Sequence, residues 1–290
     1  MTSFSVVLVL HESAGVVGAL LRSLGRWAGS AQVVVVDTAS DDDGPRLARE
    51  AGAEVLALGE NPGFGAACNA GVERARHPVT VLLNPDCELV DGGLNDLARA
   101  ATAREALWAP RLIGHDGATE RSAHPLPGTL GALLGAPLHP PAAPAALRER
   151  LEPWRAEHPR PVGWTVAACL AARTQLLRRL GPFDAREFLF YEDMDLCLRA
   201  RAAGVPTIFD PRVRVRHLGG HATRAAYGGE PFAVLAARRR EVVARNRGPA
   251  AARLDDAAQL VTFATRTLAH ALAGGDWRRP RAQLRAVVRQ

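Results

Sequence analysis

The chain has 290 residues, 48% of them hydrophobic and 23% charged, which is an ordinary globular composition. All 36 basic residues are arginine, and the net charge is +6. A GC-rich coding bias accounts for the missing lysine, although arginine also suits a surface that meets nucleotides or anionic lipid. No apolar run approaches a membrane span, no signal-like segment opens the chain, and the four cysteines lie far apart. We therefore expect a cytoplasmic protein without a zinc site or disulfide framework.

The first third of the chain alternates β-branched runs with segments of helical spacing. The predicted strands are Phe4–Leu10, Val33–Val36, Glu54–Leu58 and Val79–Leu83, and the predicted helices between them are Gly15–Trp27, Pro45–Ala51 and Ala66–Ala75. This alternation predicts a mainly parallel sheet with right-handed crossovers, whose ligands bind at the carboxyl ends of the strands.

The rest of the chain is less regular. Nine prolines between Ala123 and Pro161 predict an irregular excursion or a mobile loop over the site. Regular structure is expected to resume over Val162–Ala172 and to include a helix beginning near Glu192 and a strand around Thr207–Phe209. The end of the chain, Pro231–Gln290, is predicted to be helical and rich in arginine.

Three carboxylates, Glu192, Asp193 and Asp195, directly follow an aromatic run that begins at Phe188. Burial beside aromatic rings can raise the pKa of a carboxyl group and prepare a general base. Alternatively, acidic side chains in a first helical turn simply complement the helix dipole. An i,i+4 ion pair with Arg199 is expected to occupy Asp195.

Polar residues also follow the predicted strands. Asp37 leaves the second strand, where a carboxylate can accept hydrogen bonds from a base or ribose. Asp86 and Glu88 follow the fourth strand and are spaced to share a divalent cation with diphosphate oxygens, unless they belong to a solvated loop. Gly63 and Gly65 lie in a turn into a helix and allow close backbone approach.

Together these segments resemble the inverting glycosyltransferases of family 2, which have the GT-A fold, and the rhamnosyltransferase-like branch in particular. The resemblance runs from Val6 to about Gly220. Its motifs are Val35–Ser40, Asn61–Gly71, Leu83–Asp86, Trp164–Cys169, Gly181–Arg199 and Val215–Gly220. This chain departs from the usual pattern at His11-Glu12, in the wall near the nucleotide base, at Thr38, and at Ala167 near the acceptor.

The resemblance implies an α/β GT-A domain over residues 1–225 and a helical, arginine-rich C-terminal extension over residues 226–290. Within the domain, residues 1–115 would form the nucleotide-sugar-binding half. Residues 123–161 would form the proline-rich excursion, and residues 162–225 the acceptor and catalytic half.

The resemblance also implies roles for individual residues. Asp193 would be the general base, and Trp164 and Glu192 would line the acceptor side. Mg²⁺ or Mn²⁺ would be held by Asp86, with Glu88 and His217 as further ligands, although His217 can also be read as an ordinary loop histidine. The residues expected to bind the donor nucleotide are His11, Glu12, Asp37, Asn61, Gly63, Phe64, Asn69 and Asn84.

The expected activity is the inverting transfer of a hexose-type sugar such as rhamnose, from a dTDP- or UDP-linked donor to a glycan or lipid-linked acceptor. It would serve cell-wall or other cell-surface polysaccharide synthesis. One rival is a sugar nucleotidyltransferase, but the segment His11–Gly18 lacks the glycine-rich basic loop usual there. The other is a non-catalytic carbohydrate-binding relative, which would not need to keep both Asp86 and Asp193. No nucleic acid partner is expected.

The C-terminal region raises the question of a peripheral contact with the inner face of the plasma membrane. Apolar helix positions there are Leu260, Val261, Phe263, Leu268 and Leu272, and the arginines nearby are Arg238–Arg240, Arg245, Arg247, Arg278 and Arg279. Basic residues near an anionic leaflet favour binding. Alternatively, the apolar residues pack onto the catalytic domain or onto a second subunit in a homo-oligomer.

Overall fold

A computed structural model of the protein describes residues 3–138, 144–184, 190–219 and 230–289. Its contacts divide the chain into two units. Unit 1 consists of Met1–Ala123 and Trp154–Ala222, and unit 2 consists of His124–Pro153 and Thr223–Gln290. Most of the proline-rich segment is thus grouped with the C-terminal helices, and the domain boundaries implied by the resemblance stay predictions.

Unit 1 is an α/β unit built on one large sheet. Its strands are β1 (Phe4–Leu10), β2 (Gln32–Thr38), β3 (Glu54–Leu58), β4 (Val79–Leu83), β5 (Cys87–Leu89), β6 (Leu107–Ile113), β8 (Arg160–Val162), β9 (Trp164–Thr165), β10 (Cys169–Arg173) and β11 (Thr207–His217), and β7 (Ala123–His124) spans the unit boundary. Its helices are α1 (Ala14–Trp27), α2 (Gly44–Glu50), α3 (Phe64–Arg74), α4 (Gly93–Ala103), α7 (Thr174–Leu180) and α8 (Glu192–Ala202).

The sheet has the order β3-β2-β1-β4-β10-β6-β11-β5, and β8 pairs with β11. β1 runs parallel to β2 and β4, and β2 runs parallel to β3, whereas β10 is antiparallel to β4. The predicted mainly parallel sheet is therefore confirmed in this half. The parallel register pairs Leu10 with Asp37, so the residues that follow β1, β2 and β4 meet at one edge.

The core explains why these segments form strands. Every residue of β1 and β4 is buried, as expected for the central strands of a sheet covered on both faces. Helix α3 packs so closely on β1 that a Cβ at Gly71 would lie 2.4 Å from Cγ1 of Val7. Because only glycine permits this approach, α3 lies directly against β1.

Unit 2 is helical. Its helices are α5 (Leu130–Gly135), α6 (Ala145–Leu151), α9 (Phe232–Arg247), α10 (Pro249–Leu272) and α11 (Arg278–Val288). The prolines of the excursion predict irregular structure, and that prediction is wrong where α5 and α6 form. The predicted C-terminal helices are confirmed, and none of the helices in the described ranges is long and apolar enough to cross a membrane.

Candidate active site

The loops after β1 and β2 are joined by hydrogen bonds at the carboxyl edge of the sheet. Nδ1 of His11 lies 3.2 Å from the carbonyl oxygen of Thr38, and Oε1 of Glu12 accepts from the backbone N–H of Asp41 at 2.8 Å. Asp37, at the end of β2, is buried. The structure therefore brings His11, Glu12 and Asp37 to one place.

The turn before α3 has the geometry that its glycines allow. Oδ1 of Asn61 accepts from the N–H of Gly63 at 3.0 Å, and Gly63 has φ 91°, a conformation that favours glycine. The Phe64 ring lies against Phe183, with 5.7 Å between centroids. A Cβ at Gly65 would come within 2.8 Å of Phe183 Cβ, so this contact also needs a glycine.

Asn69 faces Phe183 through both ends of its amide. Nδ2 donates to the Phe183 carbonyl oxygen at 2.8 Å, and Oδ1 accepts from the Phe183 N–H at 3.0 Å. These two hydrogen bonds tie α3 to the segment that precedes α8. The geometry indicates a positioning role for Asn69, and its direct contact with a donor nucleotide stays a prediction.

His217 is hydrogen-bonded between two carboxylates. Its Nε2 lies 3.4 Å from Oδ1 of Asp86, and its Nδ1 lies 2.9 Å from Oε2 of Glu120. Burial alone favours the neutral ring, but the hydrogen bonds to these carboxylates raise the pKa of His217 to about 9. Glu120 lies in the loop after β6 and belongs to none of the motifs, so sequence reasoning missed it.

Glu88 is directed elsewhere. Its carboxylate binds Arg216 at 2.5 Å and lines a cavity of about 470 Å³ together with α1 residues such as Arg22. Consecutive residues of a strand project to opposite faces, so Arg216 and His217 recruit different partners. The structure therefore does not bring Glu88 together with Asp86 and His217.

The segment between β9 and β10 connects the Asp86 loop to α8. The backbone N–H of Asn84 donates to the Ala168 carbonyl oxygen at 2.8 Å, and the N–H of Ala167 donates to Oδ2 of Asp193 at 3.3 Å. The buried Oδ1 of Asn84 has no hydrogen-bond partner within the described ranges. Two backbone hydrogen bonds thus hold the Asp193 carboxylate beside the loop that carries Asp86.

Asp193 lies in the first turn of α8 and is half-buried. Its Oδ1 accepts from the N–H of Met194 at 2.7 Å. Burial raises the pKa of Asp193 to about 6, although the backbone hydrogen bonds from Met194 and Ala167 oppose the rise. A carboxyl group with this pKa is mostly ionised at neutral pH and is still basic enough to accept a proton.

Aromatic residues surround the start of α8. The rings of Trp164 and Tyr191 meet edge to face with 5.9 Å between centroids. Glu192, the first residue of α8, is half-buried beside them. Glu192 thus directly precedes Asp193 in the chain, and Trp164 contacts Tyr191, two residues before Asp193, whereas Phe188 lies outside the described residues.

Backbone strain concentrates in the same loops. Within the described ranges, four residues other than glycine have positive φ, namely Glu12 at 48°, Ala39 at 56°, Phe190 at 78° and Tyr191 at 62°. Such conformations cost about 1–3 kcal/mol each and cluster at functional sites. All four adjoin the strand ends or α8, where the candidate site residues lie.

Asp195 forms a buried ion pair and is not available to a substrate. It is 1% exposed, and its Oδ2 accepts from Nε of Arg199 at 2.7 Å, which confirms the predicted i,i+4 pair. The Arg199 guanidinium also donates to the carbonyl oxygens of residues 180–182. This ion pair fastens α8 to the end of α7.

Comparison with known proteins agrees with these motifs. Residues 5–151 match the family described as glycosyl transferase family 2. An N-acetylglucosaminyl-diphospho-decaprenol L-rhamnosyltransferase from Mycobacterium tuberculosis is 32% identical, with 71% of each chain covered. This chain belongs to glycosyltransferase family 2. A second relative, the low-salt glycan biosynthesis hexosyltransferase Agl10 of Haloferax volcanii, is 21% identical over 71% of this chain and 64% of its own.

Solved structures agree on the fold of this glycosyltransferase. The mannosyltransferase PcManGT from Pyrobaculum calidifontis, in complex with GDP-Man and Mn²⁺, superposes with a TM-score of 0.58 at 16% identity, over 98% of this chain and 84% of its own. S. aureus TarS 1-349, in complex with UDP-GlcNAc, gives 0.55 at 15% identity, over 93% and 73%. The predicted GT-A fold is confirmed.

A family 2 enzyme of this fold raises the question of a divalent cation. Within the described residues, no group of three or more His, Cys, Asp or Glu side chains is arranged to hold a metal ion. A buried carboxylate oxygen of Asp86 nevertheless lies beside Nε2 of His217, and Glu120 binds the other ring nitrogen, an arrangement that is common around metal-binding histidines. Two protein ligands fit Mg²⁺ or Mn²⁺, because such ions take their remaining ligands from phosphates and water.

Proposed function

We propose that this glycosyltransferase moves a sugar of the rhamnose type, with inversion, from a nucleoside diphosphate to a hydroxyl of a lipid-linked glycan. The acceptor class and the sugar are taken from the name of the Mycobacterium tuberculosis relative. The observation that carries the proposal is the position of Asp193. Its half-buried carboxylate, with a pKa of about 6, is joined through Ala167 and Ala168 to the Asp86 loop.

The reaction we propose is a single displacement. The Asp193 carboxylate takes the proton of the acceptor hydroxyl while the acceptor oxygen bonds to the anomeric carbon of the donor. The bond from that carbon to the diphosphate oxygen breaks, and the nucleoside diphosphate leaves with the electron pair. Attack on the face opposite the leaving group inverts the anomeric configuration.

The donor would lie along the strand ends. Asp37 is proposed to accept hydrogen bonds from the base or ribose, with His11 and Glu12 in the adjoining loop. Asn61, Gly63 and Phe64 would form the neighbouring wall, and this assignment is supported by the tight turn that they make.

Asp86 and His217 are the residues we propose to hold Mg²⁺ or Mn²⁺, with Asn84 beside them. When bound, the cation would neutralise the charge that develops on the leaving diphosphate. His217 would bind through neutral Nε2 and therefore release its proton on metal binding. Glu120 would orient the ring by accepting from Nδ1–H. Glu88 is not included, because Arg216 occupies it.

A transfer assay tests this function. Purified protein is incubated with a prenyl-diphosphate-linked N-acetylglucosamine acceptor and with dTDP-rhamnose, UDP-N-acetylglucosamine or GDP-mannose, with Mn²⁺ or with EDTA. We expect a glycosylated lipid product from dTDP-rhamnose, and strongly reduced product in EDTA. Product from another donor would correct the sugar assignment alone, whereas no product from any donor would overturn the proposal.

A further inference from the structure

Exposed apolar side chains are distributed unevenly over the described residues. Ten large hydrophobic side chains are exposed, and Leu218 is the one that belongs to unit 1. The nine in unit 2 are Leu130, Leu134, Leu138, Leu147, Val234, Leu268, Leu272, Trp277 and Val288. Scattered exposed leucines need no explanation, but such a concentration on one unit does.

The apolar positions of α10 fall into two groups. Leu260 and Phe263 pack against a buried cluster that includes Ala236 and Val287, so they belong to the core of unit 2. Leu268 and Leu272, one turn apart at the end of α10, are 60% and 80% exposed. The sequence prediction treats the two groups alike, but only the second is available to a partner.

A partly exposed tryptophan, Trp277, lies five residues after Leu272. Trp277 immediately precedes α11 and is 37% exposed, and the guanidinium of Arg281 lies 5.1 Å from the centre of its ring. An exposed indole beside exposed leucines is typical of side chains that enter the interface of a bilayer, where one end of the ring is apolar and the other is hydrated.

The exposed face of α11 is basic. Arg278, Arg281, Arg285 and Arg289 recur at intervals of three and four residues, so they share one side of the helix. None of the four has a carboxylate partner within the described ranges. The nearest acidic side chain along the chain, Asp276, accepts from the backbone N–H of Arg278.

Four other arginines of unit 2 form ion pairs. Ion pairs join Arg238 to Glu241, Arg239 to Asp255, Arg240 to Asp256 and Arg279 to Glu230. The predicted basic cluster Arg238–Arg240 is therefore paired with carboxylates, whereas the four arginines on one side of α11 are not paired within the residues described.

We propose that a docking face binds an anionic bilayer surface; this face consists of Leu268, Leu272, Trp277, Arg278, Arg281, Arg285 and Arg289. The arginines complement anionic headgroups, and the leucines and tryptophan can enter the apolar boundary beneath them. A nucleic acid would leave the leucines in water, and a second copy would bring two basic faces together. The inference goes beyond the proposed function, because it holds whether or not the sugar assignment is correct.

Vesicle co-sedimentation tests the docking face. The full chain is mixed with vesicles of phosphatidylcholine alone or with 30% phosphatidylglycerol, which is a chosen ratio of about one anionic lipid in three. We expect binding to the anionic vesicles alone, weakened by raising the salt from about 0.05 to 0.5 M because exposed charges are screened. Arg281→Gln/Arg285→Gln should weaken binding about 30-fold, which corresponds to about 1 kcal/mol for each basic residue.

A matched control removes the same charge from another surface. Arg46 and Arg99 are exposed in unit 1, so Arg46→Gln/Arg99→Gln should leave vesicle binding nearly unchanged. If this control weakens binding as much as the α11 variant, binding depends on net charge and the proposal is overturned. Equal binding to phosphatidylcholine, or none to anionic vesicles at low salt, overturns it too.

Tryptophan fluorescence gives a second measurement, one that does not depend on the net charge of the protein. Anionic vesicles should shift the tryptophan emission to shorter wavelength, and Trp277→Phe should abolish the shift while most binding persists. Leu268→Ser/Leu272→Ser should weaken binding without lowering the melting temperature, because both side chains are already exposed. An unchanged shift in Trp277→Phe would contradict insertion of the docking face.

Discussion

Asp193→Asn is expected to lower kcat for sugar transfer by about 10²–10⁴-fold, the usual contribution of a positioned base. Donor affinity should stay nearly the same, because the amide cannot take the acceptor proton but keeps the size of the side chain. The measurement is steady-state kinetics with calorimetry of donor binding on the same preparation. A comparable loss of donor affinity would contradict the assigned role.

Asp195→Asn is the matched control. It removes the same charge two residues away, but from the buried pair with Arg199. We expect a lower melting temperature, since removing one partner of a buried ion pair costs about 3–5 kcal/mol. The folded fraction should retain most of its kcat. If Asp195→Asn abolishes kcat and Asp193→Asn does not, the two roles are exchanged.

The pH dependence of kcat gives a second test of the role of Asp193. Because burial raises the pKa of Asp193 to about 6, kcat should fall as the pH drops through 6 and the base becomes protonated. The residual activity of the variant should lack this step. The same raised pKa means that the ionised carboxylate costs folding stability above about pH 6 and not below pH 3.8. Asp193→Asn should therefore be at least as stable as wild type at pH 8.

The second large effect is expected at Asp86. Asp86→Asn should abolish the gain in nucleoside diphosphate affinity that Mn²⁺ provides, because a carboxylate ligand is replaced by a weaker neutral one. Glu120→Gln should cost about 10–100-fold in metal affinity by loosening the His217 ring. Titration calorimetry with UDP or dTDP, with and without Mn²⁺, measures both.

Glu88→Gln is the control for Asp86. Arg216 binds Glu88 on the other side of the strand, so this variant should keep its metal-dependent affinity. Loss of metal dependence in Glu88→Gln and not in Asp86→Asn would restore the role that the sequence motif suggests for Glu88. Equal affinity with and without metal in wild type would remove the metal site altogether.

The strands Phe4–Leu10 and Val79–Leu83 were predictable because fully buried strands are continuous runs of apolar and β-branched residues. Predicted and observed bounds coincide for Phe4–Leu10, Glu54–Leu58 and Val79–Leu83. Prolines favour irregular structure locally. The packing of α5 on α10 is a tertiary contact that the local sequence does not reveal. Helix α5 accordingly could not be foreseen.

The candidate site was predictable only in part. Asp86 and His217 lie far apart in the chain and within 3.4 Å in the structure, and the family resemblance suggested that pairing. Glu120 carries no local signal, because antiparallel pairing of β5 with β11 and the loop after β6 determine its contact. Asn69 and Glu88 have side chains suited to binding a nucleotide and a metal ion. The directions of those side chains, which the sequence does not reveal, instead give them Phe183 and Arg216 as partners.

The configuration of the product tests the central claim most directly, namely that Asp193 activates the acceptor for a single displacement. Proton NMR of the glycan made by the wild-type enzyme, compared with the donor, measures the anomeric configuration before and after transfer. We expect the transferred sugar to have the configuration opposite to that in the nucleotide donor. A product with the donor's configuration would contradict the single displacement and the role of Asp193 as its base.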